Sequence, residues 1–150
     1  MVSAPSVEMN IVCEEEDLMP EYATTGSVAF DLKSKEDISL CKCSATQLVP
    51  TGVYVEVPEG YELQIRSRSS LGCKGVSLPH GVGTIDQDYR GELMVPLYVS
   101  DACQSDYYEI KRGDRIAQAI LAPIVRAEFV HTTVLNETER GCGGFGSTGV

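Results

Sequence analysis

Alternation with a period of two residues constrains this chain more than any other feature. Val53, Val55 and Val57 alternate with Tyr54 and Glu56, and Tyr61, Leu63 and Ile65 alternate with Glu62, Gln64 and Arg66. Leu93, Val95, Leu97 and Val99 repeat the pattern. Successive side chains of an extended chain point to opposite faces, so each stretch is expected to be a strand with one buried face. Turns at Pro50–Gly52 and Pro58–Gly60 bound these strands. Ile116 to Val125 is apolar enough for a buried strand, and Pro123 argues against a long helix there. One short helix is expected, beginning near Ser69 or Ser70. Many short strands at regular spacing predict an all-β barrel or sandwich. A length of 150 residues suits one domain, 1–150.

The formal net charge is −10, which argues against a nucleic-acid surface built from clustered Lys and Arg. It leaves room for a small phosphorylated ligand held by a local basic patch or a bound cation. No apolar run approaches the ~20 residues that cross a bilayer, so no membrane partner is expected. The segment Met1 to Ile11 lacks a basic region followed by an apolar stretch, so no secretory signal is expected. The six cysteines, Cys13, Cys41, Cys43, Cys73, Cys103 and Cys142, are therefore expected as reduced thiols in small, partly buried positions. Cys41 and Cys43 have no second pair or nearby His to complete a zinc site.

Four segments carry polar groups suited to chemistry. In Ser77 to Val95, Gly81 and Gly83 predict a hairpin tip where backbone can approach a ligand, and Asp86, Asp88 and Tyr89 follow at once. Asp86 is either a general base that holds a water or a solvated turn residue. Arg68 to Lys74 offers two hydroxyls and two cations, which suit a phosphate at a helix start or cap a surface helix. Gln118 lies in an apolar strand and needs a hydrogen-bond partner, either structural or substrate. The last stretch, Gly141 to Gly149, has five glycines around one Phe. Its Gly141-x-Gly143-x-x-Gly146 spacing is not a dinucleotide fingerprint, since no strand–helix–strand unit follows. Arg140, Ser147 and the backbone amides suit a triphosphate and Phe145 suits a base, against the alternative of a flexible tail.

Taken in order, these segments resemble the five motifs of the trimeric dUTP pyrophosphatase family. They stand here as ATTGSVAFDL from Ala23, SRSSLGCKG from Ser67, GVGTIDQDYRGE from Gly81, RGDRIAQ from Arg112 and RGCGGFGSTG from Arg140. The second departs from the family's pattern, with Ser67 where Pro is usual and Ser70 where Gly is usual. His80 occupies a position that varies in the family.

The resemblance implies a jelly-roll-like, distorted β-barrel subunit in a homotrimer. Its body would span 1–137, with a flexible glycine-rich C-terminal arm over 138–150 acting as a lid. It implies an enzyme that hydrolyses dUTP to dUMP and pyrophosphate with Mg²⁺, limiting uracil in DNA and supplying dUMP. Asp86 would activate the attacking water, with Gln118 beside it. Arg68, Ser69 and Ser70 would hold phosphates, and Gly81, Val82, Gly83, Thr84 and Ile85 would read uracil. Tyr89 would lie under the deoxyribose. Arg140, Phe145, Gly146, Ser147 and Thr148 would close over the substrate. Asp31 would touch the metal through water, the phosphates holding it mainly. The expected location is cytoplasmic, or nuclear in a eukaryotic or viral setting. The alternatives are a dCTP deaminase of the same superfamily and a non-catalytic, nucleotide-sensing regulatory trimer.

Overall fold

The computed structural model describes residues 6–145 and 147. The chain forms β1 (Asn10–Cys13), β2 (Glu21–Tyr22), β3 (Phe30–Lys33), β4 (Ile38–Cys41), β5 (Gln47–Pro50), β6 (Val53–Glu56) and β7 (Tyr61–Arg66). A one-turn helix, α1 (Ser69–Gly72), follows, then β8 (Val76–Ser77), β9 (Val82–Ile85), β10 (Met94–Val99), β11 (Tyr107–Ile110) and β12 (Arg115–Pro123). The strands lie in four sheets: β1-β6, β5-β10-β8, β11-β4 and β2-β3-β12-β7-β9. The result is an all-β, jelly-roll-like subunit in which each period-two stretch of the sequence is a strand. Among the described residues no helix is long and apolar enough to cross a membrane.

One apolar core joins the sheets. Leu32, Leu63, Val95, Leu97, Ile110 and Ile116 are fully buried within it, each worth about 1.5–3 kcal/mol relative to exposure. In the five-stranded sheet, Ala117 and Ala119 of β12 sit between the larger Phe30 and Leu32 of β3 and Ile65 of β7. Small side chains on the central strand let the flanking large ones meet the core without overpacking.

Two expectations change. The strands on either side of Gly81 do not pair with each other: β8 pairs with β10, and β9 pairs with β7. The segment is thus a crossover between sheets. Gly81 turns the chain at φ +76, and Gly83 lies inside β9. The outer edge of β9 is left without a neighbouring strand among the described residues. Second, Cys41 and Cys43 are joined as a disulfide, and Cys13, Cys73, Cys103 and Cys142 are free thiols. The turn closed by Ser44 N–H on the Cys41 carbonyl brings two side chains, otherwise too far apart along a strand, to a Cα separation of 5.3 Å.

The turn before β12 is tied to the N-terminal segment by charge. Arg112 donates to both Asp17 oxygens at 2.7 and 2.9 Å and to Glu15 at 2.6 Å. Asp37 accepts the Arg112 backbone N–H at 2.8 Å and the Lys111 ammonium at 3.2 Å. The Arg112 guanidinium holds the Asp17 carboxyl below its ordinary 3.8, and the Arg112 N–H does the same for Asp37. Folded-state values below the unfolded one give stability that is complete above the unfolded value and lost as pH falls through the folded one. Asp17→Asn is therefore expected to lower the thermal midpoint measurably at about pH 6, with the difference from wild type shrinking as pH falls through the lowered value of Asp17. Melting curves across that range check the sign.

Candidate active site

The ladder of the five-stranded sheet aligns one residue from each of its strands. Glu21 of β2 opposes Asp31 of β3, Asp31 opposes Gln118 of β12, Gln118 opposes Arg66 of β7, and Arg66 opposes Val82 of β9. Directly opposed residues share a face, and this face is turned away from the alanine-centred core. It forms the floor of a cleft of about 510 Å³ lined by Asp31, Arg66, Arg68, Ser69, Ser70 and Gln118, with Arg115 at its side. Strand alternation alone delivers this: neighbours that must be apolar for the core leave every second position to the cleft.

Arg68 leaves the end of β7 and folds back over β3. Its Nε–H donates to Asp31 Oδ1 at 2.8 Å, and its Nη1 donates to Ser70 Oγ at 3.3 Å and to the Arg115 carbonyl at 3.2 Å. Arg115 Nη1 reaches the other Asp31 oxygen at 3.3 Å. Asp31 thus carries two guanidiniums, while Arg68 Nη2 has no protein acceptor among the described residues. Gln118 Nε2 donates to the Ser67 carbonyl at 2.8 Å, leaving its amide oxygen toward the cleft. Ser67 Oγ accepts the Leu78 N–H at 3.0 Å. In place of a ring-locked residue before Arg68, a hydroxyl holds the backbone.

Arg68 and Arg115 on Asp31, with Arg66 also lining the cleft, make a local cationic site on an acidic chain, chemically suited to a polyphosphate. Arg115 was not among the residues singled out in the sequence. Its signal was its place three residues before Gln118 in the same segment, but only the bulge between Arg115 and Ala117 turns it toward Asp31. No group of three or more His, Cys, Asp or Glu suited to a metal occurs among the described residues. The one cleft carboxylate, Asp31, spends a hydrogen bond from each oxygen on arginine. That donor set suits an outer contact to a hydrated hard cation and not a closed cage.

The other expected residues lie elsewhere on the chain. Gly81 precedes β9, and Val82, Gly83, Thr84 and Ile85 form it, with alternate backbone N–H and C=O groups directed at the open edge. Asp86 follows on the surface, and no protein group hydrogen-bonds its carboxylate among the described residues. Tyr89 closes a turn from its N–H to the Asp86 carbonyl at 3.2 Å, and its hydroxyl donates to the Glu92 carbonyl at 2.8 Å. The ring lies so close over Gly91 that any Cβ there would overlap it. Asp86 is four residues along from the Gln118 rung and two strands across, so the two backbones are roughly 16 Å apart at standard strand spacings.

Regular structure ends at Pro123, and residues 124–137 form no helix or strand and are almost wholly exposed. This stretch shows Val125, Phe129, Val130, Val134 and Leu135 to solvent. Beyond it, Arg140 Nε donates to the Gly143 carbonyl at 2.8 Å, Phe145 is fully exposed at φ +50, and Ser147 folds back beside Gly143. Gly146 and Thr148 lie outside the described residues.

Comparison with known proteins gives one family. The family model described as dUTPase matches residues 15–149. A deoxyuridine 5'-triphosphate nucleotidohydrolase of Finegoldia magna is 44% identical over 146 residues, 95% of this chain and 99% of that protein. The enzyme of the same name from Zymomonas mobilis is 47% identical over 132 residues, 87% of this chain and 88% of its own. Among solved structures, a dUTPase variant of Staphylococcus bacteriophage 80alpha with dUpNHpp superposes with a TM-score of 0.84 at 26% identity, covering 97% of this chain and all of that one. A dUTPase variant from phage phi11 of S. aureus, described with a structural Mg(II) ion, gives 0.74 at 25% identity, covering 85% and 98%.

The cleft itself yields a test. Arg115→Ala removes one of the two guanidiniums on Asp31 and one cation from the wall. Inorganic tripolyphosphate, titrated calorimetrically, is expected to bind about 10–100-fold more weakly to the variant, the range for one lost charge-assisted hydrogen bond. Unchanged binding would remove Arg115 from the anion site.

Proposed function

The chain belongs to the dUTPase family, and from that premise we propose how its residues convert dUTP to dUMP and pyrophosphate. The observation that carries the reading is the division of the motif residues into two groups on one chain. Asp31, Arg68, Ser69, Ser70, Gln118 and Arg115 converge on one cleft, whereas Asp86 lies roughly 16 Å away by strand spacing. A water attacking the α-phosphorus must touch the carboxylate that takes its proton, within about 3 Å. The two groups therefore serve one substrate best when they come from different copies of the chain.

In this reading the active site forms between subunits of a homotrimer. One chain supplies the phosphate cleft and a second supplies β9 with Asp86 and Tyr89. The arm comes from a further chain, with 1–137 as the body and 138–150 as the lid. Five large apolar side chains on residues 124–137 support the same arrangement, because they have no core of their own to enter.

The open edge of β9 reads the base as a partner strand would. Backbone donors and acceptors of Gly81 to Ile85 match the carbonyl–imide–carbonyl edge of uracil. Cytosine presents an amino donor where uracil has an acceptor, and the unmatched backbone groups discriminate by up to ~10⁴–10⁵. Tyr89, pinned at its hydroxyl and packed on Gly91, gives the deoxyribose a flat wall that leaves no room for a 2′-hydroxyl. Arg68 directs its free Nη2 at the α- and β-phosphates with Ser69, Ser70 and Gln118 beside it. Arg140, Gly146, Ser147 and Thr148 hold the γ end, and Phe145 stacks on the base.

Hydrolysis follows from those positions. Asp86, with no competing protein donor, orients a water and accepts its proton. The water oxygen bonds to the α-phosphorus as the bond to the bridging oxygen of the β-phosphate breaks, and pyrophosphate leaves. Mg²⁺, when bound with the substrate, supplies neutralisation of phosphate charge. Asp31, while bracing Arg68 and Arg115, would be the carboxylate that touches the hydrated ion. The arm excludes bulk water until the products form.

Asp86→Asn keeps the shape of the side chain and loses the base. Turnover measured as pyrophosphate release is expected to fall at least ~10²-fold with dUTP still bound. Wild-type turnover in this variant would remove Asp86 from the chemistry.

Phe145→Ala is expected to weaken substrate capture by roughly 1–3 kcal/mol, the loss of one base stack. Binding of dUpNHpp measures it, and wild-type affinity would assign Phe145 no contact with the base.

Sharing between subunits has its own experiment. Asp86→Asn protein and protein truncated before Arg140 are each expected to be nearly inactive, and co-refolded mixtures are expected to recover activity. Mixtures that exchange subunits and remain inactive would count against the shared site.

A further inference from the structure

The loop from Asp86 to Glu92 is a knot of short contacts, and Arg90 ties it to the β1-β6 ribbon. Its Nη1 donates to the Gln87 carbonyl at 2.6 Å and to the Tyr89 carbonyl at 2.9 Å. Its Nη2 donates to Glu56 Oε1 at 3.2 Å. The other oxygen of Glu56 accepts from Asn10 Nδ2 at 2.8 Å, and Asn10 and Glu56 are directly opposed in the β1-β6 ribbon. The Asn10 amide, and after it the charge of Arg90, holds the Glu56 carboxyl below its ordinary 4.5. On the other side of the loop, Gln87 Nε2 donates to the Tyr61 carbonyl of β7 at 3.2 Å.

We propose that Arg90 is a positioning residue for dUTP hydrolysis, fixing the peptide planes that follow Gln87 and Tyr89 so that Asp86 and Tyr89 meet the substrate in register. The inference rests on the roles given to Asp86 and Tyr89 above. The two carbonyls that Arg90 grips are those of Gln87, which directly follows Asp86, and of Tyr89 itself. A planar fork with several donors can hold two carbonyls and a carboxylate at once, whereas an ammonium on a flexible stem acts as a single point. The Arg90–Glu56 pair is half exposed on both sides, and such a pair adds little to global stability. Its consequence is therefore local. The loop that must place a water against phosphorus is held at two carbonyls to a rigid two-stranded ribbon. Small displacements at such a point are costly in rate, since a shift of ~1 Å costs as much as ~10²-fold.

The experiment compares Arg90→Ala, Arg90→Lys and Asp86→Asn in the full-length assembled protein. It measures kcat and KM for dUTP, equilibrium binding of dUpNHpp and the thermal midpoint. Arg90→Ala is expected to lower kcat by about 10-fold or more while dUpNHpp affinity changes by less than about 3-fold, the pattern of a lost contribution made in the transition state. Arg90→Lys is expected to stay close to the Ala variant, because charge without the fork does not restore the grip. Guanidinium ion at millimolar concentration, below any denaturing effect, is expected to raise kcat of Arg90→Ala and to leave Arg90→Lys unchanged. Wild-type kcat in Arg90→Ala, with Asp86→Asn inactive, overturns the inference and leaves the site reading standing. Normal turnover in Asp86→Asn overturns that reading and this inference with it. Should the Ala variant fail to assemble, the Lys variant decides, and wild-type kcat in it overturns the proposal.

Discussion

The register of β12 is the constraint on which the rest of the molecule depends. This strand pairs with β3 on one side and β7 on the other, and its alternation sends Ala117 and Ala119 into the core and Gln118 out of it. A slip of one residue would bury Gln118 without its Ser67 partner and expose the alanines between Phe30, Leu32 and Ile65. The same register aligns Asp31, Gln118 and Arg66 on one rung and so builds the floor of the arginine-lined cleft. Packing and the polar cleft are two faces of one strand here.

The edge strand β9 is the complementary device. A free sheet edge is ordinarily a hazard, since its unpaired N–H and C=O groups invite another chain. Here the edge is short, begins after a positive-φ glycine and ends at an acidic, tightly turned loop. The loop then turns back on itself through Tyr89, Gly91 and Arg90. Two of its carboxylates, Asp86 and Asp88, join none of these contacts, and Asp86 is the one that directly follows the free edge.

Strand alternation, the turn glycines and the ordered motif residues were all legible in the sequence, because each is a local property of a few neighbouring positions. What escaped was relational. Gly81 and Gly83 read as a hairpin tip because both flanking segments are strand-like, and nothing local reveals that β8 and β9 choose partners in different sheets. Arg115 escaped because its direction depends on a bulge in β12. Cys41 and Cys43 escaped because a turn, not a strand, spaces them. Ser67 and Ser70 were legible as departures from a pattern, but their work was not. The Ser67 hydroxyl accepts the Leu78 N–H across a contact eleven residues away, and the Ser70 hydroxyl accepts from Arg68, whose own direction is set by Asp31 on β3.

The stretch 124–137 extends these constraints to the proposed assembly. Val125, Phe129, Val130, Val134 and Leu135 stand outside the apolar core formed by the described residues, and burying five such side chains is worth roughly 10 kcal/mol in total. That is comparable to the whole stability of an ordinary domain. A chain that left this surface in water would forgo that stabilisation and expose an adhesive segment. In the proposed trimer a second copy would supply both a surface to cover this stretch and the group that each half-site needs. Asp86 lies roughly 16 Å from the Arg68 cleft of its own chain. Association that buried 124–137 would therefore also bring together groups that strand geometry keeps apart in the single chain.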